Sequence, residues 1–288
     1  MEWIFLFLII VFFLFLIFLD INHKPKKFNE LIDSFENQLK VASHRGYGKR
    51  GSIAENTMPA FEKSTKEGIG IHELDVRISK DGVVIIFHGP DLSSTTNGRG
   101  KVEKKTIEEL NKLNWGFYLR DSNLAKEKKY SILTLDHYLS SLGQKVITNI
   151  ELKKEWFVFS SKLEQITIET VKKNNAQRRV FFSSFNLFVL RNLKKKAPEF
   201  GIGLLLEPGF FFSIRSFLFR VILRPDFIHL PKEHAGNKRI QKYKKKGYGI
   251  VVWTVNDKQK IKELLSFGAD IVITDNISAA LTFKKNLI

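Results

Sequence analysis

The stretch that decides the fold runs from Val41-Ala42-Ser43-His44-Arg45-Gly46, through Glu55-Asn56-Thr57 and Ile71-His72-Glu73-Leu74-Asp75-Val76, to Val83-Val84-Ile85-Ile86-Phe87-His88-Gly89-Pro90-Asp91. In it, histidines, carboxylates and an arginine stand at or beside the ends of short apolar runs. Side chains alternate along a strand, so Glu73, Asp75 and Arg77 share one face and Leu74, Val76 and Ile78 the other. A polar triplet opposite an apolar one suits a strand that faces a site, and barrel enzymes gather their chemistry at strand ends. Lys80-Asp81-Gly82 is a turn signal between the two apolar runs. A hairpin centred there puts Glu73 opposite His88, whereas a parallel return needs an extended loop. Either way the connection is too short for a helix, and a regular barrel is broken here.

Outward from this stretch, further apolar runs at 146–152, 179–184, 201–206, 226–230, 249–255 and 270–274 join three earlier ones, the first at 40–44. That makes nine strand candidates for eight barrel places, with 226–230 having the weakest claim. Helical patterns at 133–142, 160–174 and 257–267 supply repeated βα units. Asn56 or Thr57 is placed to cap a helix with Pro59 in its opening turn, and Gly68 and Gly70 punctuate its end. Residues 91–130 form an insertion with a turn at Asn97-Gly98-Arg99-Gly100 and a capped helix opening at Thr106-Ile107-Glu108-Glu109. Lys126-Glu127-Lys128-Lys129 reads as a solvated face. The pattern predicts an α/β protein, an irregular (β/α)8 barrel over 40–288.

The ordered motifs His44-Arg45-Gly46, Glu55-Asn56-Thr57, Glu73-x-Asp75, Lys80-Asp81-Gly82 and Val84-x-x-Phe87-His88 resemble the glycerophosphodiester phosphodiesterases, relatives of the phosphatidylinositol-specific phospholipases C. The likeness continues through Ile150-Glu151-Leu152-Lys153, Ser183-Ser184-Phe185, Val252-Trp253-Thr254-Val255-Asn256 and Ile273-Thr274-Asp275, and so covers roughly residues 41 to 280. It implies a TIM barrel that cleaves the diester of a glycerophosphodiester, releasing an alcohol and glycerol 3-phosphate. A variant acts on lysophospholipids in phospholipase D fashion, and the rival from another class is a barrel that keeps the fold and binds lipid or phosphate without catalysis. The family usually has Asp directly after the second histidine; here Gly89 takes that place, and Asp91 is the nearest substitute.

Glu73, Asp75 and Glu151 offer oxygen ligands only, and the chain has no cysteine. Such a donor set selects a hard cation, Mg²⁺ or Ca²⁺, over zinc, and the resemblance implies that these three hold it against the substrate phosphate. His44 and His88 are the acid–base candidates, since an imidazole can accept or donate a proton near neutrality. Arg45, with its planar fork, and Lys153, on the face of Glu151, are read as phosphate ligands. Glu55 either orients Arg45 or His44 or merely precedes a helix cap. Trp253 matches the family's barrel tryptophan and is expected to wall the site, or else to fill the core. His23, His72, His137, His229 and His234 are read as surface or packing residues, with His72 facing away from Glu73. Both water and a substrate glycerol hydroxyl remain open as the nucleophile.

Trp3 to Leu19 is an uninterrupted apolar run of 17 residues, about 25 Å long as a helix and near the lower limit for spanning a bilayer. Met1-Glu2 lacks the basic start of a signal peptide, and Leu19-Asp20-Ile21-Asn22 lacks a small-residue exit. Residues 1–22 are therefore expected to be an uncleaved anchor, and 23–39 a charged tether with an amphipathic turn at Phe28, Leu31, Ile32 and Phe35. Lys24, Lys26 and Lys27 follow the run and point the barrel to the cytoplasmic side. The formal charge of +17 fits an anionic partner. With no nucleic-acid-binding motif and the cations spread along the chain, phospholipid is favoured over DNA or RNA. Residues 210–223, rich in Phe, with Arg215 and Arg220, are expected to lie in the membrane interface, the competing reading being an ordinary barrel helix.

Overall fold

The computed structural model describes residues 2–21, 25, 40–47, 53–119, 130–155, 158, 160–209 and 212–281, with only part of the side chains over 2–21. The tether at 23–39 with its amphipathic turn, Lys126–Lys129, Phe210 and Phe211 lie outside the described residues, apart from Pro25. In chain order the elements are α1 (Glu2–Ile21), β1 (Val41–His44), α2 (Met58–Lys66), β2 (Ile71–Ile78), β3 (Val84–Ile86), α3 (Ile107–Asn111) and α4 (Leu135–Ser141). They continue with β4 (Ile147–Leu152), α5 (Lys162–Lys173), β5 (Val180–Ser184), α6 (Leu187–Lys196), β6 (Gly201–Leu205), α7 (Phe212–Leu223) and β7 (Phe227–Pro231). The chain closes with α8 (Asn237–Lys244), β8 (Gly249–Trp253), α9 (Lys258–Ser266), β9 (Ile271–Thr274) and α10 (Ile277–Leu281).

Eight strands run parallel in the order β1-β2-β4-β5-β6-β7-β8-β9, and β9 pairs with β1 to close the barrel. The ninth, β3, lies outside this cycle. The 226–230 run is thus a true barrel strand, paired with both β6 and β8, and the surplus candidate is 84–86. The cause is a length mismatch. β1 reaches only His44, opposite Glu73, so the edge of β2 beyond that point would be left with unpaired backbone groups. β3 turns back antiparallel and pairs there, Val76 with Ile86 and Ile78 with Val84.

The hairpin register differs from the expected one. Ser79 N donates to Val83 O at 2.9 Å and Phe87 N to Asp75 O at 2.9 Å, so Glu73 is not opposite His88. The pairing is shifted by one residue from the one that sets Glu73 opposite His88, because the hydrogen-bonded loop, not the Lys80-Asp81-Gly82 triplet alone, sets the register.

Alternation along the strands separates two cores. Leu74, Val76, Ile150 and Leu152 face outward and pack under the helices with Phe182, Ile228 and Val252. Ala42, Ile71, Ile147, Phe181, Phe227, Val251 and Ile271 fill the barrel floor. Above that floor the inward positions turn polar, with Glu73, Asp75, Asn149 and Glu151 all buried. A third cluster, Ile85, Phe87, Leu92, Leu110, Trp115 and Tyr130, ties β3 to the insertion. Replacing a fully buried residue such as Leu74 by Ala would cost about 2–5 kcal/mol.

Local signals hold in part. Pro59 lies in the first turn of α2, but Thr57 at the N-cap makes no side-chain cap; its hydroxyl donates to Ala54 O at 2.6 Å. Thr106 and Glu109 form the expected reciprocal cap on α3. His72 faces away from Glu73 as expected, its Nδ1 2.9 Å from the Tyr138 hydroxyl. Residues 212–223 are a barrel helix, with Phe212, Ser216, Arg220, Val221 and Leu223 buried. The expectation that Arg220 sits at headgroup level is corrected: the guanidinium turns inward, 5.4 Å from the ring of Tyr243. α1 is a continuous helix of 20 residues that packs against α7. Among the fully described residues, no helix is long and apolar enough to cross a membrane.

Candidate active site

The proposed site residues other than Glu55 gather towards the C-terminal ends of the barrel strands and of β3, Glu73 and Asp75 from within β2. His44 ends β1, Glu73 and Asp75 point inward from β2, Glu151 from β4, and Trp253 ends β8. His44, Glu73, Glu151 and Trp253 border a cavity of about 270 Å³ with Arg45, His88, Lys153, Asn149, Phe185 and Thr254. Glu55 sits behind this wall, and Asp75 lies buried beneath it.

The His-Arg-Gly turn works as a unit. Arg45 adopts φ 55°, a left-handed conformation unusual for a bulky residue, and it throws the side chain back over β2. Its amide continues the ladder by donating to Glu73 O at 2.9 Å. Its guanidinium reaches Glu55 Oε1 at 2.9 Å and Asp75 Oδ2 at 3.1 Å. Gly46 follows at φ 83°, and a Cβ there would lie 2.9 Å from the Ala60 backbone of α2. Only glycine lets the turn approach the helix so closely. Glu55 therefore pairs with Arg45, and no described contact joins it to His44.

The three acids converge. One carboxylate oxygen from each of Glu73, Asp75 and Glu151 lies within 4.8 Å of the other two. Asp75 Oδ1 and Glu151 Oε1 accept no well-formed hydrogen bond and face the Lys153 ammonium, 3.2 Å from Asp75 and in close contact with Glu151. Burial, and then the neighbouring Asp75 and Glu151, push the Glu73 carboxyl well above its ordinary value. Burial also raises Glu151, against the pull of Lys153. Asp75 is held below the carboxylate range: burial opposes its ionisation, but Lys153 and Arg45 prevail. Crowded, part-satisfied carboxylate oxygens are the donor set of a hard divalent cation, so the residues fit such an ion.

The two histidines differ. His44 Nδ1 lies 2.6 Å from Asp275 Oδ1, with Nε2 3.8 Å from Glu73 Oε2. Asp275 in turn accepts from Asn256 Nδ2 at 2.9 Å, while its own amide donates to Asn256 Oδ1 at 2.8 Å. Despite the burial that opposes ionisation, its bond to His44 draws the Asp275 carboxyl down to about 2. The His88 ring is held down to about 3 by burial, against the attraction of Asp75.

Asp91 does not stand in for the carboxylate expected after His88. It caps the following turn, accepting from Ser93 N at 2.9 Å and Gly100 N at 3.0 Å. Nor is there room at Gly89, where a Cβ would meet Ser94 Oγ at 1.9 Å and Asp91 O at 3.0 Å. The histidine with a carboxylate behind it is His44.

Asn256 and Asp275 stand in the ordered motifs without a role that the sequence assigns, and Asn56 reads from sequence only as a cap. Asn56 donates from Nδ2 to Asp75 Oδ2 at 3.2 Å. The available signal was position: Asn256 and Asp275 each follow a barrel strand, where catalytic groups gather. Trp253 borders the cavity and meets Phe185 edge-on at 5.5 Å, so it is a wall of the site.

Comparison with known proteins agrees with this geometry. Residues 44–279 match the Glycerophosphoryl diester phosphodiesterase family. A glycerophosphodiester phosphodiesterase of Caldanaerobacter subterraneus subsp. tengcongensis is 32% identical over 248 residues, covering 82% of this chain and 93% of that one. The human lysophospholipase D GDPD1 is 25% identical, covering 86% of each chain. A phosphodiesterase of Oleispira antarctica, solved with the product sn-glycerol-3-phosphate, superposes with a TM-score of 0.74 at 27% identity, covering 89% of this chain and 98% of that one. By its fold, its motifs and these similarities, the chain belongs to the glycerophosphoryl diester phosphodiesterase family of phosphoric diester hydrolases.

Proposed function

We propose that this chain hydrolyses glycerophosphodiesters to an alcohol and glycerol 3-phosphate, with His44 and His88 as proton-transfer groups and Glu73, Asp75 and Glu151 holding one Mg²⁺ or Ca²⁺. The carrying observation is that one cavity joins both imidazoles to the buried acids and to Arg45 and Lys153. Five carboxylates (Glu55, Glu73, Asp75, Glu151, Asp275) face two permanent cations, which would leave three negative charges if all were ionised. A divalent ion offsets most of that excess and, when bound, supplies positive charge against the substrate phosphate.

The remaining roles follow from the chain's own groups. Asp275 keeps a proton on His44 Nδ1 and steadies the imidazolium, so Nε2 is presented to the cavity as a proton acceptor. His88, whose basicity burial lowers, gains basicity when a phosphodiester anion enters beside it. It is then placed to protonate the departing alkoxide. Arg45 and Lys153 are held in position by their carboxylate partners and stabilise charge developing at phosphorus. Trp253 and Phe185 provide an apolar wall for the glycerol or headgroup.

Membrane anchoring through α1 belongs to the same reading, as does a cytoplasmic barrel. Support comes from the apolar run at residues 3–19 and the outward exposure of Trp3, Phe5, Phe7 and Phe18. A lysophospholipid substrate is the second reading, favoured by that helix and by the likeness to the human enzyme named above. The deciding assay compares glycerophosphocholine with lysophosphatidylcholine, each with Mg²⁺ and then Ca²⁺. No metal-dependent turnover of either would sink the enzymatic reading. Turnover of the water-soluble diester alone would remove the lipid variant. Product analysis in ¹⁸O-labelled water separates direct water attack from a cyclic phosphate route.

A further inference from the structure

A second, larger cavity of about 640 Å³ lies on the flank of the barrel, between α7 and α8, away from the acids. Among the described residues its lining includes Arg220, Lys238, Arg239, Lys242 and His234, with Glu233 the one acid. Part of this wall is built firmly. Arg239 donates to His234 O at 2.8 Å and lies 4.9 Å from the ring of Phe212, which stacks on His234 at 3.9 Å. Arg220 is 4% exposed, its guanidinium set among the rings of Phe217, Tyr243 and Tyr248. With Arg220 turned inward, the cavity still presents Lys238, Arg239 and Lys242 against one acid, Glu233, and so favours an anion that can take several charge-assisted hydrogen bonds, as a phosphate does.

Its surroundings identify the source of that phosphate. Helix α7 forms one wall, and on its outward side Ile214 and Ile222 are 60% and 66% exposed. The same helix is packed by α1, whose Trp3, Phe5 and Phe7 are exposed. Cations in a cavity walled by a helix whose opposite face carries exposed isoleucines, and which packs against the apolar α1, match a lipid with its headgroup in the cavity and its chains against these apolar helices. We propose that the α7–α8 cavity is a binding site for the phosphate-bearing headgroup of an anionic phospholipid, separate from the catalytic centre. It does not depend on the hydrolytic reading, and it leaves the substrate of the active site unchanged.

The test uses the full chain reconstituted in phosphatidylcholine vesicles containing traces of spin-labelled phosphatidylglycerol or spin-labelled phosphatidylcholine. The fraction of each label immobilised by the protein is read from its electron spin resonance spectrum. Wild-type protein should retain phosphatidylglycerol several-fold over phosphatidylcholine. Lys238→Glu/Lys242→Glu should bring that ratio to about one while melting within a few degrees of wild type, which shows that it folds. His44→Ala should keep the lipid preference and lose hydrolysis. An unchanged ratio in the double variant, loss of the preference in His44→Ala, or no association of the full chain with vesicles would each overturn the proposal. So would displacement by inorganic phosphate beyond that caused by chloride at equal ionic strength, which would identify a free-phosphate site instead.

Discussion

At the scale of single residues, the Asp275–His44 pair is the most telling feature. An amide in place of the carboxylate can donate to Nδ1 and stabilise the wrong tautomer, so Asp275→Asn should lower kcat by about 10²–10⁴ with little change in KM. Steady-state kinetics with a water-soluble diester checks this, and an unchanged kcat would remove Asp275 from the mechanism. Because the Asp275 carboxyl titrates near 2 in the folded chain against 3.8 ordinarily, its contribution to stability is complete above about pH 5 and is lost as pH falls through the folded value. Gly89 makes the opposite point. Restoring the family's carboxylate with Gly89→Asp should destabilise the fold, because Ser94 and the Asp91 carbonyl occupy its space, and overpacking typically costs about 1–3 kcal/mol. A thermal melt unchanged from wild type would refute that account.

At the scale of elements, β7 carries a buried histidine whose two ring nitrogens lack hydrogen-bond partners among the described residues. His229 faces inward beside Gly203, where a Cβ would lie 2.4 Å from its Nε2. Burial lowers its pKa to about 3, as it does for His72 on β2. The unfolded chain therefore binds more protons than the folded one between about 6.5 and 3, so these residues make stability fall as pH falls through that window. His229→Leu should raise stability, with a gain that is larger at pH 5 than at pH 7, as read from urea midpoints. Equal midpoint shifts at both pH values would contradict this. The β2–β3 hairpin shows the same dependence on surroundings: its existence was legible in Lys80-Asp81-Gly82, but its register was set by backbone pairing that no residue pattern displays.

At the scale of the whole molecule, the pairing of β2 with β4 sets Asp75 directly opposite Glu151, close to Glu73, and the barrel buries all three at an electrostatic cost. Mg²⁺ or Ca²⁺ should therefore raise Tm by several degrees at millimolar concentration, EDTA should reverse this, and Glu73→Gln should abolish most of the shift. A cation-independent melt in the wild-type chain would argue against the ion site. By itself the sequence determined the alternation of strands and helices, the outward and inward faces of β2, and most members of the site, because side-chain period and the ordered motifs are local properties of the chain. Which strand would be left outside the barrel, why Arg220 turns inward, and that Asp275 rather than Asp91 stands behind a histidine were decided only by the tertiary structure. Those outcomes depend on the relative lengths of paired strands and on the space between groups as many as 231 residues apart, and neither quantity exists until the chain has closed on itself.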